Sequence, residues 1–463
     1  MTMHSRRSLP LLPFLVACGA LLAEPPPAAA GRDAWTTAGR FALGEGTFAD
    51  AGANAYVSAA GDVRLINQWD LNRDGFLDLF FFNTHDNNQQ IDLYLYWGGR
   101  NFSVDARTRL PSDGGAAQVI ADLDGNGYPD LVVVNNFNGV KTNLDSYVYW
   151  GGPAGFDAGR RTELPTLGAT AAAVADLNGD GHPDLLFANS GRAYGGAAGK
   201  GNRSFIYWGS AQGFAAKNRA ELPTAIATDV KIADLNQDGT VEIIFANEGQ
   251  ATEPGGAMIY WGQARTPYSE ARRTLLPGEM SSGVAVADLN ADGWPEITLA
   301  NRYRPLPRVA GDKRELDTDV DTEAIASSVF WGGRDGYAAS RRTDLPTLAA
   351  SAVAAGDLNG DGFADLVFAN GPRRAGHATP SPGIGSYLYW GGAAGYATSR
   401  RSVVPTMNPT HCVIEDLNDD GHPDLLFSNE NDARSYASFS YVYWGSPAGL
   451  DFARRLELPT LGA

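Results

Sequence analysis

Apolar positions in this chain come in short runs of about five residues, bounded by Gly, Asn, Asp or Pro. In one stretch AAAVA (171–175) precedes a polar loop, DLLFAN (184–189) follows it, and SFIYWG (204–209) leads through a Gly turn to a segment ending in Leu-Pro. The runs are rich in Val, Ile, Phe, Tyr and Trp, which suit a pleated, half-buried surface and predict strands. No stretch reads as a long amphipathic helix. The second run is apolar at consecutive positions, so both of its faces are expected to be buried and the sheets to stack on one another.

The script returns seven times. Its polar loop opens at Asp70, Asp122, Asp176, Asp234, Asp288, Asp357 and Asp416, at intervals of 52 to 69 residues. A fixed period of this size signals a repeat architecture. Four short strands per unit, with both faces covered, describe the blades of a closed ring. The expected fold is all-β: a seven-bladed β-propeller of four-stranded antiparallel blades over residues 35–463. The tail RRLELPTLGA (454–463) matches RRTELPTLGA (160–169), where the next inner strand begins, yet no eighth loop follows. Closure is therefore expected through the N-terminal segment, roughly residues 35–65.

Each loop places oxygen-bearing side chains at positions one, three, five and nine, with Gly at six. The sets are Asp70, Asn72, Asp74, Asp78; Asp122, Asp124, Asn126, Asp130; Asp176, Asn178, Asp180, Asp184; and Asp234, Asn236, Asp238, Glu242. They continue with Asp288, Asn290, Asp292, Glu296; Asp357, Asn359, Asp361, Asp365; and Asp416, Asn418, Asp420, Asp424. Hard oxygen donors in a tight loop suit calcium, and Gly permits the positive φ that turns the chain around an ion. Position seven, which varies freely, would offer its carbonyl. Position twelve is apolar (Phe187, for example), so the loop is not an EF-hand. One such loop could be an ordinary Asx turn, but seven in register, each ending on an acid, argue for up to seven Ca2+ sites. The formal net charge of −17 fits a chain that gains cations and disfavours nucleic acid as a partner.

These loops, each followed by a run such as DLLFAN, resemble the FG-GAP or VCBS repeats of bacterial surface proteins and are similar to the calcium loops in the seven-bladed propeller of integrin α subunits. The resemblance covers nearly all of the chain from about residue 60 and implies calcium at the positions named above. A YWGG turn (149–152) stands where the family's Gly-Ala-Pro is expected. The fold is shared by adhesion modules, lectins and enzyme appendages, so it leaves function open.

Residues 1–30 read as an export signal, with basic Arg6 and Arg7 ahead of an apolar stretch from Leu9 to Ala17. Leu15-Val16-Ala17-Cys18 resembles a bacterial lipobox, which would leave Cys18 lipidated as a membrane anchor; the rival is simple cleavage after Ala23 or Ala30. Export from a bacterial cell, as a surface lipoprotein or a secreted protein, follows from either. The other cysteine, Cys412, lies beside an apolar run and is expected to be a buried hydrophobe.

In antiparallel four-stranded blades, the Asp loops and the YWGG turns emerge on one side and the Leu-Pro connections and post-FAN stretches on the other. The post-FAN stretches differ in every blade, as a binding surface on a constant scaffold would. The expected role is a monomeric module of cell adhesion or carbohydrate binding, holding a glycan or protein ligand. Candidate ligand residues are His85, His377 and, in the connection entering blade seven, His411, expected to meet in one sector of that face, with Arg373 and Arg374, and Arg302 and Arg304 of the fifth-blade insert. The alternative is a polysaccharide lyase-like enzyme using the three histidines; no particular catalytic residue can be picked out. The seven asparagines ending the second strands are expected to hold turns, and the Tyr-Trp pairs to pack between blades.

Overall fold

The short β-branched and aromatic runs form short strands, and the computed structural model arranges them as a ring of antiparallel sheets. It describes residues 71, 78–83, 91–97, 102–103, 107–126, 128–152, 155–191, 202–250, 253–302, 325–371, 385–418, 420–430 and 437–462, and the backbone of strands at 49–50, 55–57, 63–65, 304–305 and 320–321. Blade three is typical: its strands are Ala169–Ala175, Asp184–Asn189, Arg203–Tyr207 and Arg219–Pro223, in that spatial order. Blades two and four to seven repeat it, with inner strands Gly115–Ala121, Ala227–Ala233, Ser281–Ala287, Ala350–Gly356 and Pro409–Glu415. Successive inner strands pack side by side, which places them around the central axis. The second strands are buried along their whole length in blades two to six, as their unbroken apolar runs require. Among the described residues, helix is limited to two 3-10 turns, Glu270–Arg272 and Thr398–Arg400.

Blade one shows three strands among the described residues, Leu79–Phe81, Leu93–Tyr96 and Arg107–Leu110. One expectation needs correction: the N-terminal strands do not close the ring. Ala49–Asp50 pairs with the inner strand of blade three, making that sheet five-stranded, and Ala55–Val57 pairs with Val63–Leu65. Closure instead comes from blade seven, whose fourth strand, Leu456–Leu461, lies against blade one. The physical reason is that blade seven already has four strands of its own, so its seam needs only the side-to-side packing used between the other blades.

That packing is the same around the ring. The buried Tyr ending each third strand donates its hydroxyl to a Pro carbonyl of the preceding blade: Tyr149 to Pro111 (2.7 Å), Tyr207 to Pro165 (2.5 Å), Tyr260 to Pro223 (2.5 Å) and Tyr389 to Pro346 (2.6 Å). Tyr443 does so to Pro405, and at the closing seam Tyr96 donates to Pro459 (2.7 Å). Blade five carries Phe330 there and packs without the hydroxyl. Stacked rings add a second contact, Trp150 on Phe214 at 6.2 Å and, across the seam, Trp444 on Phe102 at 6.3 Å.

The asparagines ending the second strands hold two blades at once. Asn189 donates Nδ2 to Arg203 O (2.9 Å) in its own blade and accepts from the N–H of Leu167 (3.3 Å) in the blade before. Asn83 repeats this over the seam, donating to Asp92 O and accepting from Leu461 N. Asn189 is fully buried, so Asn189→Ala would leave a buried N–H and C=O unmet. The expected loss is about 2–4 kcal/mol in urea unfolding.

Candidate metal centres and the variable face

The Asp loops connect inner and second strands, and the turns after Tyr-Trp connect third and fourth strands. Their contacts confirm that both lie on one side of the ring. The position-nine acid is the link. In blade two Asp130 takes the N–H of Leu123 on Oδ2 (2.8 Å) and that of Gly151, from the turn after Trp150, on Oδ1 (2.7 Å). Asp184 does the same with Leu177 and Gly209 (2.9 and 2.8 Å), Asp365 with Leu358 and Gly391 (2.9 and 2.7 Å), and Asp424 with Leu417 and Gly445 (2.8 and 2.6 Å). Glu242 and Glu296 reach the same partners with longer second bonds, 3.2 and 3.3 Å. In blade one Asp78 accepts from Leu71 N (2.8 Å). All seven acids are fully buried. The sequence shows the acid's place in the loop but not its bond to the distant turn, because that partner lies 20 to 36 residues away.

The other loop oxygens also point inward. In blade three Asp176 accepts from Asp180 N (3.1 Å) and Gly181 N (2.8 Å), and Asp180 accepts from His182 N (2.9 Å). The pattern recurs in blade four, where Asp234 accepts from Asp238 N and Gly239 N and Asp238 from Thr240 N. Blades five, six and seven repeat it with Asp288 and Asp292, Asp357 and Asp361, and Asp416 and Asp420. Position six is left-handed as expected, with Gly181 at φ 88°. Position four is left-handed as well, which Gln237 (60°) and Ala291 (59°) adopt at a cost that Gly179 avoids.

Burial pushes the position-nine carboxyls up: Asp130, Glu242 and Glu296 to about 8, Asp184 and Asp424 to about 7, and Asp365 to about 6. The neighbouring loop carboxylates push the same way, while the two backbone N–H bonds oppose the shift. Two observations bear on whether a cation fits. Carboxylate oxygens of Asp122, Asp124 and Asp130 lie within 4.8 Å of one another. In blade three the position-three oxygen, Asn178 Oδ1, is buried with no hydrogen-bond partner. Converging carboxylates in one loop and an orphaned amide oxygen in the next are the donor types that a hard divalent cation takes. Of the predicted ligands, Asp70, Asn72 and Asp74 lie outside the described residues.

Of the ligand candidates, His85, His377, Arg373 and Arg374 lie outside the described residues, and Arg304 is described by backbone alone, pairing with Asp321. Arg302 is half-buried just after the second strand of blade five, its N–H on Met280 O (3.3 Å). The expectation for His411 is corrected. It sits within the inner strand Pro409–Glu415, not in the connection before it, because the turn is completed earlier by Asn408 at φ 47°. The charges that act on it, Asp229 and Lys231, belong to the inner strand of blade four. Desolvation lowers the His411 pKa, with Asp229 opposing.

Cys412, the next residue, is buried with Sγ 3.5 Å from Val367 O, and burial pushes its thiol up to about 12. A thiol reagent is therefore expected to label Cys412 in protein lacking residues 1–30 only on unfolding, at a rate read by absorbance. The sequence reading missed a further regularity. The Arg opening the fourth strand lies over an aromatic ring of the third: Arg161 over Tyr147 (4.0 Å), Arg219 over Phe205 (4.1 Å), Arg401 over Tyr387 (4.0 Å) and Arg455 over Tyr441 (3.9 Å). An Arg four residues ahead of the fourth strand's Pro, present in all seven repeats, is its visible signal.

Comparison with known proteins agrees with this geometry. A model described as FG-GAP-like repeat matches residues 70–133, 122–187 and 234–298, and one described as FG-GAP repeat matches 349–378. Integrin alpha-6 of Gallus gallus is 26% identical over 153 residues and that of Homo sapiens 27% over 152, in each case 30% of this chain. The matched stretch spans only 14% and 13% of those relatives. A solved structure concerned with recognition of non-reducing terminal N-acetylglucosamine by an Agrocybe aegerita lectin aligns over 78% of this chain and 90% of its own. Its identity of 13% and TM-score of 0.35 are too low to carry an argument. This chain carries FG-GAP repeats, and the repeats build a seven-bladed β-propeller.

Proposed function

We propose that the protein is an exported, calcium-stabilised binding module that holds a glycan or protein ligand on its variable face and performs no chemistry of its own. One observation carries the reading: the repeated loops and turns are bolted together on one side by the position-nine acids, and the segments that differ between blades all leave from the other. The fixed side would hold calcium through the side chains at positions one, three, five and nine. Bound calcium would supply positive charge to carboxylates that otherwise repel one another, and the chain's own contribution is to aim them inward with backbone N–H groups. Among the described residues no helix is long and apolar enough to cross a membrane; a lipid on Cys18 would supply attachment to a cell.

The test has two parts, both on protein lacking residues 1–30. Calorimetric titration of the metal-free protein with calcium chloride is expected to show several sites; no heat and no change in melting would remove calcium from the proposal. The calcium-loaded protein is then incubated with neutral and anionic polysaccharides, recording bound ligand and, by mass spectrometry, new oligosaccharides. Binding without products supports the module. Unsaturated products would instead establish the lyase alternative.

A further inference from the structure

The rim of the ring between blades two and three holds a cavity of about 490 Å³, within the range of small-ligand sites. It opens at the variable-face end, where Asn143 and Asp145 stand exposed on the blade-two side and Arg203 on the blade-three side. Its wall is Phe205, 3% exposed and covered by Arg219 at 4.1 Å. Arg219 is already committed, to Glu221 at 3.1 Å and to the Tyr207 hydroxyl at 3.2 Å. Arg203 is not. Its side chain is 47% exposed, and its contact with Glu221 is a long 3.9 Å. We propose that this cavity binds an acidic saccharide, Arg203 taking a carboxylate and Asp145 accepting from sugar hydroxyls; the proposal rests on the binding-module reading and places its ligand.

The position of Arg203 argues for a dedicated feature. Its carbonyl is the one bonded by the strand-ending asparagine, and at that place blades four to seven carry Gly256, Ala326, Gly385 and Phe439. Blade two carries Asp145. At this strand position, among the described residues of blades two to seven, only the groove joining blades two and three sets a cation opposite a carboxylate. A guanidinium fork with unspent donors matches a carboxylate in two parallel bonds, which a point charge could not orient. Charged and polar lips favour a hydroxyl-rich ligand over an apolar one. An extended peptide finds no ladder to join, because Pro165 offers no N–H and the Leu144 carbonyl is taken by the Thr166 N–H (2.8 Å) and hydroxyl (2.9 Å).

The probe is trigalacturonate, with the fully methyl-esterified trisaccharide as its uncharged twin, titrated by calorimetry into protein lacking residues 1–30 at fixed calcium. The acid is expected to bind at least tenfold more tightly than the ester. Arg203→Ala should weaken it at least tenfold, Arg203→Lys by less, and Asp145→Asn severalfold, while Asp344→Asn, on the rim of blade five, leaves it unchanged. Unaltered melting of the Arg203 variants shows that the fold is kept, and the acid-to-ester ratio needs no variant at all. Equal binding of acid and ester, no binding of either, Arg203→Ala binding as the parent does, or tighter binding of triglutamate would each overturn the assignment. If Arg203→Ala retained the polysaccharide binding seen in the panel, this cavity would be excluded while the module reading stood.

Discussion

Chelation of calcium is expected to lower the melting temperature sharply, and by more at pH 8 than at pH 5. The sign follows from the position-nine acids. In the metal-free protein their folded pKa values, about 6 to 8, stand above the ordinary value near 4 of an unfolded chain. Between those limits the folded state holds more protons than the unfolded, so the contribution of these acids to metal-free stability is fully present below about pH 4, falls as pH rises, and is lost by about pH 8. Each unit of difference corresponds to about 1.4 kcal/mol. Even after discounting for coupling within each loop, six such acids should lower the metal-free melting temperature by on the order of 10 °C between pH 5 and pH 8. Calcium reverses the trend, because it binds the ionised form and must displace these protons. Each site occupied at a hundredfold excess over its dissociation constant adds about 2.7 kcal/mol. Calorimetric scans with calcium and with chelator, at both pH values, give the four numbers required. A chelator effect that is absent or independent of pH would rule out the loops as metal centres.

Asp184→Ala is the second large effect. The substitution strands two backbone donors, Leu177 N–H and Gly209 N–H, in a fully buried place. At about 1–3 kcal/mol for each unmet group, the expected loss is about 2–6 kcal/mol in urea unfolding. Its pH dependence separates the two duties of the residue. Without calcium the deficit should shrink from pH 5 to pH 8, because the variant no longer carries a carboxylate whose ionisation costs stability. With calcium it should grow, because one site is gone. Asp335→Ala, in an exposed turn, is the control and should change stability by less than about 0.5 kcal/mol.

The ring was legible because it rests on local rules repeated seven times: strand-forming runs, a Gly where φ must be positive, an acid at a fixed offset. The division into a constant and a variable face followed from antiparallel connectivity alone, and the burial of Cys412 and the holding role of Asn189 from their strands. What was hidden is long-range. Nothing near Asp130 announces Gly151, and nothing near Tyr96 announces Pro459, 363 residues away. His411 was misplaced by a few residues, since the left-handed turn at Asn408 starts the strand earlier than its apolar run suggests. The cavity at Arg203 could not be read from one sequence, because its two lips come from different repeats.

The seams between blades have a consequence for descent. Tyr207 and Asn189 reach the preceding blade through a main-chain carbonyl and a main-chain N–H, atoms that nearly every residue supplies. These two bonds are thus written in the neighbour's backbone and do not depend on which side chains it carries there. A gene segment coding for one blade can be copied, exchanged or moved and still meet its new neighbours correctly, so diversity at the ligand face can accumulate by shuffling whole units as well as by point change.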